Sequence, residues 1–155
     1  METLIAYYSR TGTTKKVAEM LAQKMGAEIE EIRDTVDRSG IKGYFISGRD
    51  AMKKRLTKIE PIKLGPEGYD LVVVGTPVWA GNMSPAVRTY LAENKERIKT
   101  IAFFCTMGGS GDKKTFQEME KTTGQKPAGV LTVLTKEVAS GKFEKKVQEF
   151  ADRIG

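Results

Sequence analysis

Histidine is absent from this chain, and cysteine occurs once, at position 105. Without histidine the commonest general base and the commonest metal ligand are missing. A lone cysteine can make neither an internal disulfide, nor a CxxC redox pair, nor a thiolate-held iron–sulfur cluster. Redox chemistry would therefore need an organic cofactor, and no catalytic side chain and no metal site are expected. Cys105 closes the apolar run Ile101-Ala102-Phe103-Phe104 and reads as a buried packing residue, not a reactive thiol. Long apolar runs are lacking too: Leu71 to Gly75 falls far short of the ~20 residues that span a bilayer. Met1-Glu2-Thr3 leads straight into a strand pattern where an export signal would place a charged and then an apolar stretch, so a cytoplasmic location is expected.

The 155 residues suffice for one domain, 1–155, that buries about two-thirds of its unfolded surface without disulfides or metal. No repeat, low-complexity tract or dividing linker interrupts them. Lys and Arg number 26 against 20 Asp and Glu, a net charge of +6. Such a balance suits nucleic acid, an anionic membrane surface or an acidic protein. The densest cluster, Lys53-Lys54-Arg55 with Lys58, has neither aromatic interleaving nor a nucleic-acid-reading module beside it, so nucleic acid is not expected.

Strand and helix signals alternate along the chain. Thr3 to Tyr8, Glu28 to Ile32, Leu71 to Gly75, Thr100 to Cys105 and Gly129 to Leu134 read as strands, several apolar on both faces as a buried parallel sheet requires. A helix follows the first strand from Lys15 to Met25, and Ser84-Pro85 opens another. Asp112 is expected to cap a helix that Gly124 ends. Ser140 is expected to cap the last helix, whose stripe of Phe143, Val147, Phe150, Ala151 and Ile154 belongs to the core. Between Asp34 and Tyr69 the pattern is least regular, with Ser47-Gly48-Arg49-Asp50 reading as a capping box for a short helix through about Leu56. The alternation predicts a three-layer α/β domain with right-handed crossovers, helices on both faces of the sheet, and ligands beyond the carboxyl ends of the strands.

Three loops leave those ends. In the first, Ser9-Arg10-Thr11-Gly12-Thr13-Thr14 joins a strand to a helix. Unpaired N–H groups and the positive end of the helix dipole favour a phosphate there, and four hydroxyls with Arg10 add donors. A merely capped turn would look the same from this segment alone. The motif GxxxxGK[ST] is absent, and Gly109-Ser110-Gly111 begins a GxGxxG-like string without its third glycine. A phospho-receiver domain would need acids where Tyr8, Ser9 and Thr76 stand.

Taken together, Tyr8 to Thr14, then Gly75-Thr76-Pro77-Val78-Trp79-Ala80-Gly81-Asn82-Met83, then Cys105-Thr106-Met107-Gly108-Gly109-Ser110-Gly111 resemble the three FMN-binding loops of flavodoxins, in order, spacing and strand context. The uninterrupted last strand resembles the short-chain type. The resemblance implies a flavodoxin-like doubly wound fold with a five-stranded parallel sheet of order 2-1-3-4-5, and FMN as cofactor. It places Ser9, Thr11, Gly12, Thr13 and Thr14 on the phosphate. Arg10 stands where the family has a small or apolar residue, either neutralising the dianion or pointing to solvent. Loop Thr76, Pro77, Val78 would bring Trp79 against the isoalloxazine ring, with the backbone of Ala80, Gly81 and Asn82 along its N5 edge. Thr106, Met107, Gly108, Gly109, Ser110 and Gly111 would meet the pyrimidine edge and the other ring face. In the family a peptide after the aromatic reorients on reduction. Positive φ would cost Ala80 roughly 1 kcal/mol or more, which makes Gly81 the expected hinge.

Two features depart from the family. The third loop lacks the usual second aromatic, leaving that ring face open or covered by Tyr44 or Phe45, and the chain is basic where typical flavodoxins are acidic. The implied function is a small soluble electron carrier with no substrate of its own, a monomer or weak dimer serving redox proteins with acidic docking surfaces. The alternative is an FMN-dependent NAD(P)H:quinone-type oxidoreductase, which an open ring face would suit.

Overall fold

In the computed structural model, which describes residues 1–155, strand β1 (Thr3–Tyr7) is buried along its whole length. So are the first six residues of β3 (Leu71–Trp79) and all of β5 (Ile101–Met107). A strand covered on both faces needs apolar residues at consecutive positions, and Val72-Val73-Val74 and Ile101-Ala102-Phe103-Phe104 supply them. The edges, β2 (Glu28–Glu31) and β6 (Val130–Leu134), mix buried with exposed positions. The parallel strands lie in the order β2-β1-β3-β5-β6.

Side chains of one strand alternate between two cores, as the pleat dictates. Ile5, Tyr7, Val73 and Phe104 pack under α1 (Thr13–Met25), α5 (Thr135–Ser140) and α6 (Glu144–Ile154). Leu4, Ala6, Val72, Val74 and Phe103 pack under α3 (Pro85–Asn94) and α4 (Asp112–Thr123), with α2 (Gly40–Met52) beside α3. Helices thus cover both faces, as the alternation predicts. No helix is long and apolar enough to cross a membrane.

Several expectations change. The five parallel strands stand in the expected order, and a sixth joins them: β3 runs past Gly75 to Trp79, then folds back so that the two-residue β4 (Asn82–Met83) pairs with it antiparallel. Ser47 to Asp50 open no helix but lie inside α2, which starts at Gly40, because Ser47 and Asp50 face inward to Arg38. Asp112 does not cap α4; Gly111 in the left-handed conformation precedes it, and the Asp112 carboxylate accepts the Thr132 hydroxyl at 2.9 Å. Ser140 ends α5 instead of capping the last helix, its hydroxyl donating to the Glu137 carbonyl. Ser84 does cap α3, accepting the Val87 N–H at 3.3 Å, and Gly124 ends α4 at φ +70°.

Candidate functional site

The loops after β1, β3 and β5 converge at the carboxyl edge of the sheet. In the first, Gly12 takes φ +98°, a conformation that admits little besides glycine, and its N–H donates to Ser9 Oγ at 3.0 Å. That closes the turn and starts α1 at Thr13. The N–H groups of Thr13, Thr14 and Lys15 meet no backbone acceptor, as the first turn of a helix requires. Thr14 and Thr106 share a buried hydroxyl–hydroxyl bond of 2.8 Å, which fastens the first loop to the end of β5.

A cleft of about 160 Å³ opens above this bond, lined by Arg10, Thr11, Thr13, Thr14, Pro77, Val78, Trp79, Thr106, Met107, Gly108 and Thr135. Its one charged group is a guanidinium, and the rest is hydroxyl, backbone and apolar surface, a set that suits an anion joined to a flat apolar body. Most of the residues expected from the sequence therefore do meet. Thr135 was missed, although the rule that ligands lie past strand ends, applied to β6, would have reached it.

Other expected residues stand back from the cleft. Ser9 and Gly12 shape the first turn. Thr76 is fully buried, its hydroxyl accepting the Ser84 N–H at 3.0 Å and donating to the Pro77 carbonyl at 2.8 Å, so it braces the hairpin. Gly111, at φ +105°, permits close approach: a Cβ there would lie 2.9 Å from Val78 Cγ1 and 3.1 Å from Gly81 Cα. Gly109 and Ser110 are exposed. Asn82 is buried, and its Oδ1 has no hydrogen-bond partner. An orphaned acceptor in this hairpin is what a donor on a bound molecule would satisfy.

Arg10 lines the cleft and does not simply point to solvent. Its Nε donates to the Arg38 carbonyl at 2.7 Å and its Nη2 to the Gly40 carbonyl at 2.9 Å, so the half-buried side chain ties the first loop to the segment before α2. Arg38 is the larger surprise. Only 4% exposed, it donates to Asp34 at 2.7 Å and Asp50 at 3.1 Å, and its guanidinium lies 5.8 Å from the centre of the Trp79 ring. The Tyr8 ring meets Trp79 edge-on at 5.5 Å. Burial pushes the Tyr8 hydroxyl up to about 12 and the Cys105 thiol up to about 12, so both are neutral near pH 7 and Cys105 is a packing residue. Behind Trp79 a second cleft, of about 480 Å³, lies between the hairpin and α2, with Tyr44, Phe45 and Met52 on its far wall.

The hairpin turn itself carries strain. Ala80 has φ +49° and Gly81 φ +73°, the pattern of a type I′ turn, so the left-handed burden assigned to Gly81 falls on both residues. Asparagine tolerates this conformation better than alanine. Ala80→Asn is expected to stabilise the protein by about 1 kcal/mol, raising Tm by roughly 2–4 °C in a thermal melt. An unchanged or lower Tm would mean that the turn relaxes in solution.

A family model described as flavodoxin matches residues 2–150. Among solved structures, a flavoprotein from Lactobacillus acidophilus in complex with FMN is 27% identical, with a TM-score of 0.75, covering 90% of this chain and 97% of that one. The apo form of a flavoprotein from Lactobacillus acidophilus is 26% identical over 86% of this chain and 91% of that one, with a TM-score of 0.66. Oxidised flavodoxin 1 from Bacillus cereus, 16% identical over 99% of this chain and 97% of that one at a TM-score of 0.56, shares the fold. No curated protein matches the sequence.

Proposed function

Because the chain belongs to the flavodoxin family, we propose that it binds FMN and carries electrons between other redox proteins. The observation that supports this best is the cleft itself: free N–H groups and threonine hydroxyls at the start of α1 share one hollow with Trp79 and the loop after β5. Bound there, FMN supplies one- and two-electron redox chemistry that no side chain of this protein can. The protein's part is to hold and to tune. Thr11, Thr13 and Thr14, with the N–H groups of the first helical turn, bind the phosphate, while Ser9 and Gly12 keep that turn in shape. Trp79 presents its face to the ring, and Thr106, Met107 and Gly108 form the opposite wall. Pro77 and Val78 floor the cleft. Thr76, Ala80, Gly81, Asn82, Gly109, Ser110 and Gly111 set the two loops that border it.

Hydrogen bonds to a charged group are worth roughly 1.5–3 kcal/mol, so Thr13→Val is expected to weaken FMN by about ten- to hundredfold. Riboflavin, which lacks the phosphate, should change little. Titration of apoprotein with both flavins measures the difference, and equal losses would reject the phosphate assignment.

A second reading rests on the loop after β5, where Gly108, Gly109 and Ser110 are exposed and no aromatic stands. An uncovered ring face would admit a nicotinamide. Anaerobic addition of NAD(P)H to the yellow protein decides: slow or no bleaching supports the carrier, whereas rapid bleaching followed by quinone turnover would make it an oxidoreductase.

A further inference from the structure

Helix α2 is packed inside out. Its buried residues are Gly43, Ser47, Asp50 and Ala51, small or polar, while Ile41, Tyr44, Phe45 and Met52 are 79, 65, 68 and 61% exposed. The cause lies in the clamp beneath. Asp50 and Ser47 must face Arg38, and Gly43 sits so close to the Arg38 backbone that a Cβ would lie 2.1 Å from it. With polar and small residues committed inward, the large apolar ones form a stripe at helical spacing on the outside. Such contiguous exposed apolar surface marks an interaction site.

We propose that this stripe, with the cleft between α2 and the Trp79 hairpin, is the docking surface for an acidic protein that carries its own one-electron centre. The inference rests on the electron-carrier reading above and adds to it the place and the chemistry of the partner. Charge selects the occupant. Residues 41–56 hold five Lys and Arg against a single acid, the buried Asp50; Arg49 and Arg55 pair with it and Lys54 with Glu118, which leaves Lys42 and Lys53 exposed and unpaired at the rim. An apolar, aromatic centre with a cationic rim is the anatomy of a protein interface, and its complement is apolar with an acidic rim. Four large hydrophobic side chains could not be buried by a phosphate backbone, which argues against nucleic acid. Position supports the role as well: the 480 Å³ cleft is bounded by Trp79, the residue proposed to face the cofactor, so a partner seated there reaches within one side chain of it.

The test uses the FMN-loaded chain and, as probe, a reduced acidic plant-type [2Fe–2S] ferredoxin. One electron leaves the iron–sulfur centre and enters the oxidised flavoprotein; no bond is made or broken. Stopped-flow absorbance gives the second-order rate. Screening shortens from about 30 Å to about 8 Å between 0.01 and 0.15 M salt, so the rate should fall at least tenfold across that range. Tyr44→Ser/Phe45→Ser and Lys42→Glu/Lys53→Glu change exposed side chains only, and each should slow transfer about tenfold. Lys142→Glu/Lys145→Glu, the same charge change by α6 on the opposite face of the sheet, should leave the rate near wild type. If this control slows transfer as much, net charge alone is at work and the surface is refuted. Undiminished transfer in both α2 variants also refutes the surface and leaves the carrier reading standing. Amide NMR shifts at α2 on adding oxidised ferredoxin, with no electron transfer from the reduced form, would keep the surface and sink the carrier reading. Self-association in sedimentation, abolished by Tyr44→Ser/Phe45→Ser, would assign the face to a second copy and overturn the proposal.

Discussion

Arg38→Met is expected to destabilise the protein by about 3–5 kcal/mol at neutral pH, the cost of breaking a buried ion pair from one side. Arg38 is held between Asp34, whose side chain is 3% exposed, and Asp50, at 12%. Methionine fills a similar volume but leaves Asp34 without its cation and Asp50 with only the half-exposed Arg49 and Arg55. The dependence on pH identifies the cause. Burial pushes the Asp50 carboxyl up, but hydrogen bonds from Arg38 and Arg49 more than offset it and hold the group below the usual carboxylate range. A depressed folded-state value contributes stability that is present above the unfolded value, about 3.9, and is lost as pH falls through the folded one. In the variant Asp50 keeps Arg49 and Arg55 but loses the lowering that Arg38 supplies, so its carboxyl should move up from its wild-type value. The deficit should therefore be largest at neutral pH and shrink as pH falls below about 4. Urea unfolding at several pH values measures it. A deficit constant across pH would show that Arg38 acts by packing alone, and tryptophan emission would report at the same time whether Trp79 has lost its neighbour.

Gly75→Ala is the second substitution with a large expected effect, about 3 kcal/mol of destabilisation from overpacking. A Cβ at this position would lie 2.0 Å from Phe104 Cζ and 2.3 Å from Cε1. Phe104 is fully buried on the neighbouring strand, where Gly75 and Phe104 are register partners. The ring lies over the glycine because no side chain stands there, and the surrounding core of Val73, Ala102, Leu131 and Phe150 gives it little room to retreat. The denaturation midpoint should fall with the m-value unchanged. Pairing Gly75→Ala with Phe104→Leu should cost less than the sum of the two single changes, since the smaller side chain relieves the clash and the added methyl fills part of the space it leaves. Strict additivity, or a Gly75→Ala variant as stable as wild type, would mean that the ring moves aside without cost.

The two-faced sheet and the convergence of three loops were legible in the sequence because they follow from local patterns, whereas the strand order came only with the resemblance to flavodoxins. Consecutive apolar residues mark strands buried on both faces, hydroxyls before an apolar helical period mark a helix start, and Ser84-Pro85 caps its helix through a contact three residues long. Arg10, Thr76 and Thr135 were harder. The loop shows that Arg10 is there, but the carbonyls it reaches belong to Arg38 and Gly40, some 28 and 30 residues on. Thr76 looks like its neighbours in the loop until the hairpin closes and engages its hydroxyl. Thr135 acquires a role only when the sheet brings β6 alongside β5.

Periodicity, capping and loop chemistry are properties of neighbours along the chain, and from them the sequence by itself determined the α/β architecture and which loops could cradle a phosphate. Which side of α2 faces outward was decided by the tertiary structure. Hydrophobicity within 41–52 would turn Ile41, Tyr44, Phe45 and Met52 inward. Satisfying buried Arg38 requires Asp34 and Asp50 together, and because a buried guanidinium deprived of a carboxylate costs about 3–5 kcal/mol, the polar side of α2 faces inward and four apolar side chains stay wet. That balance depends on charges brought together across 16 residues of chain, Asp34 to Asp50, and only the folded protein brings them together.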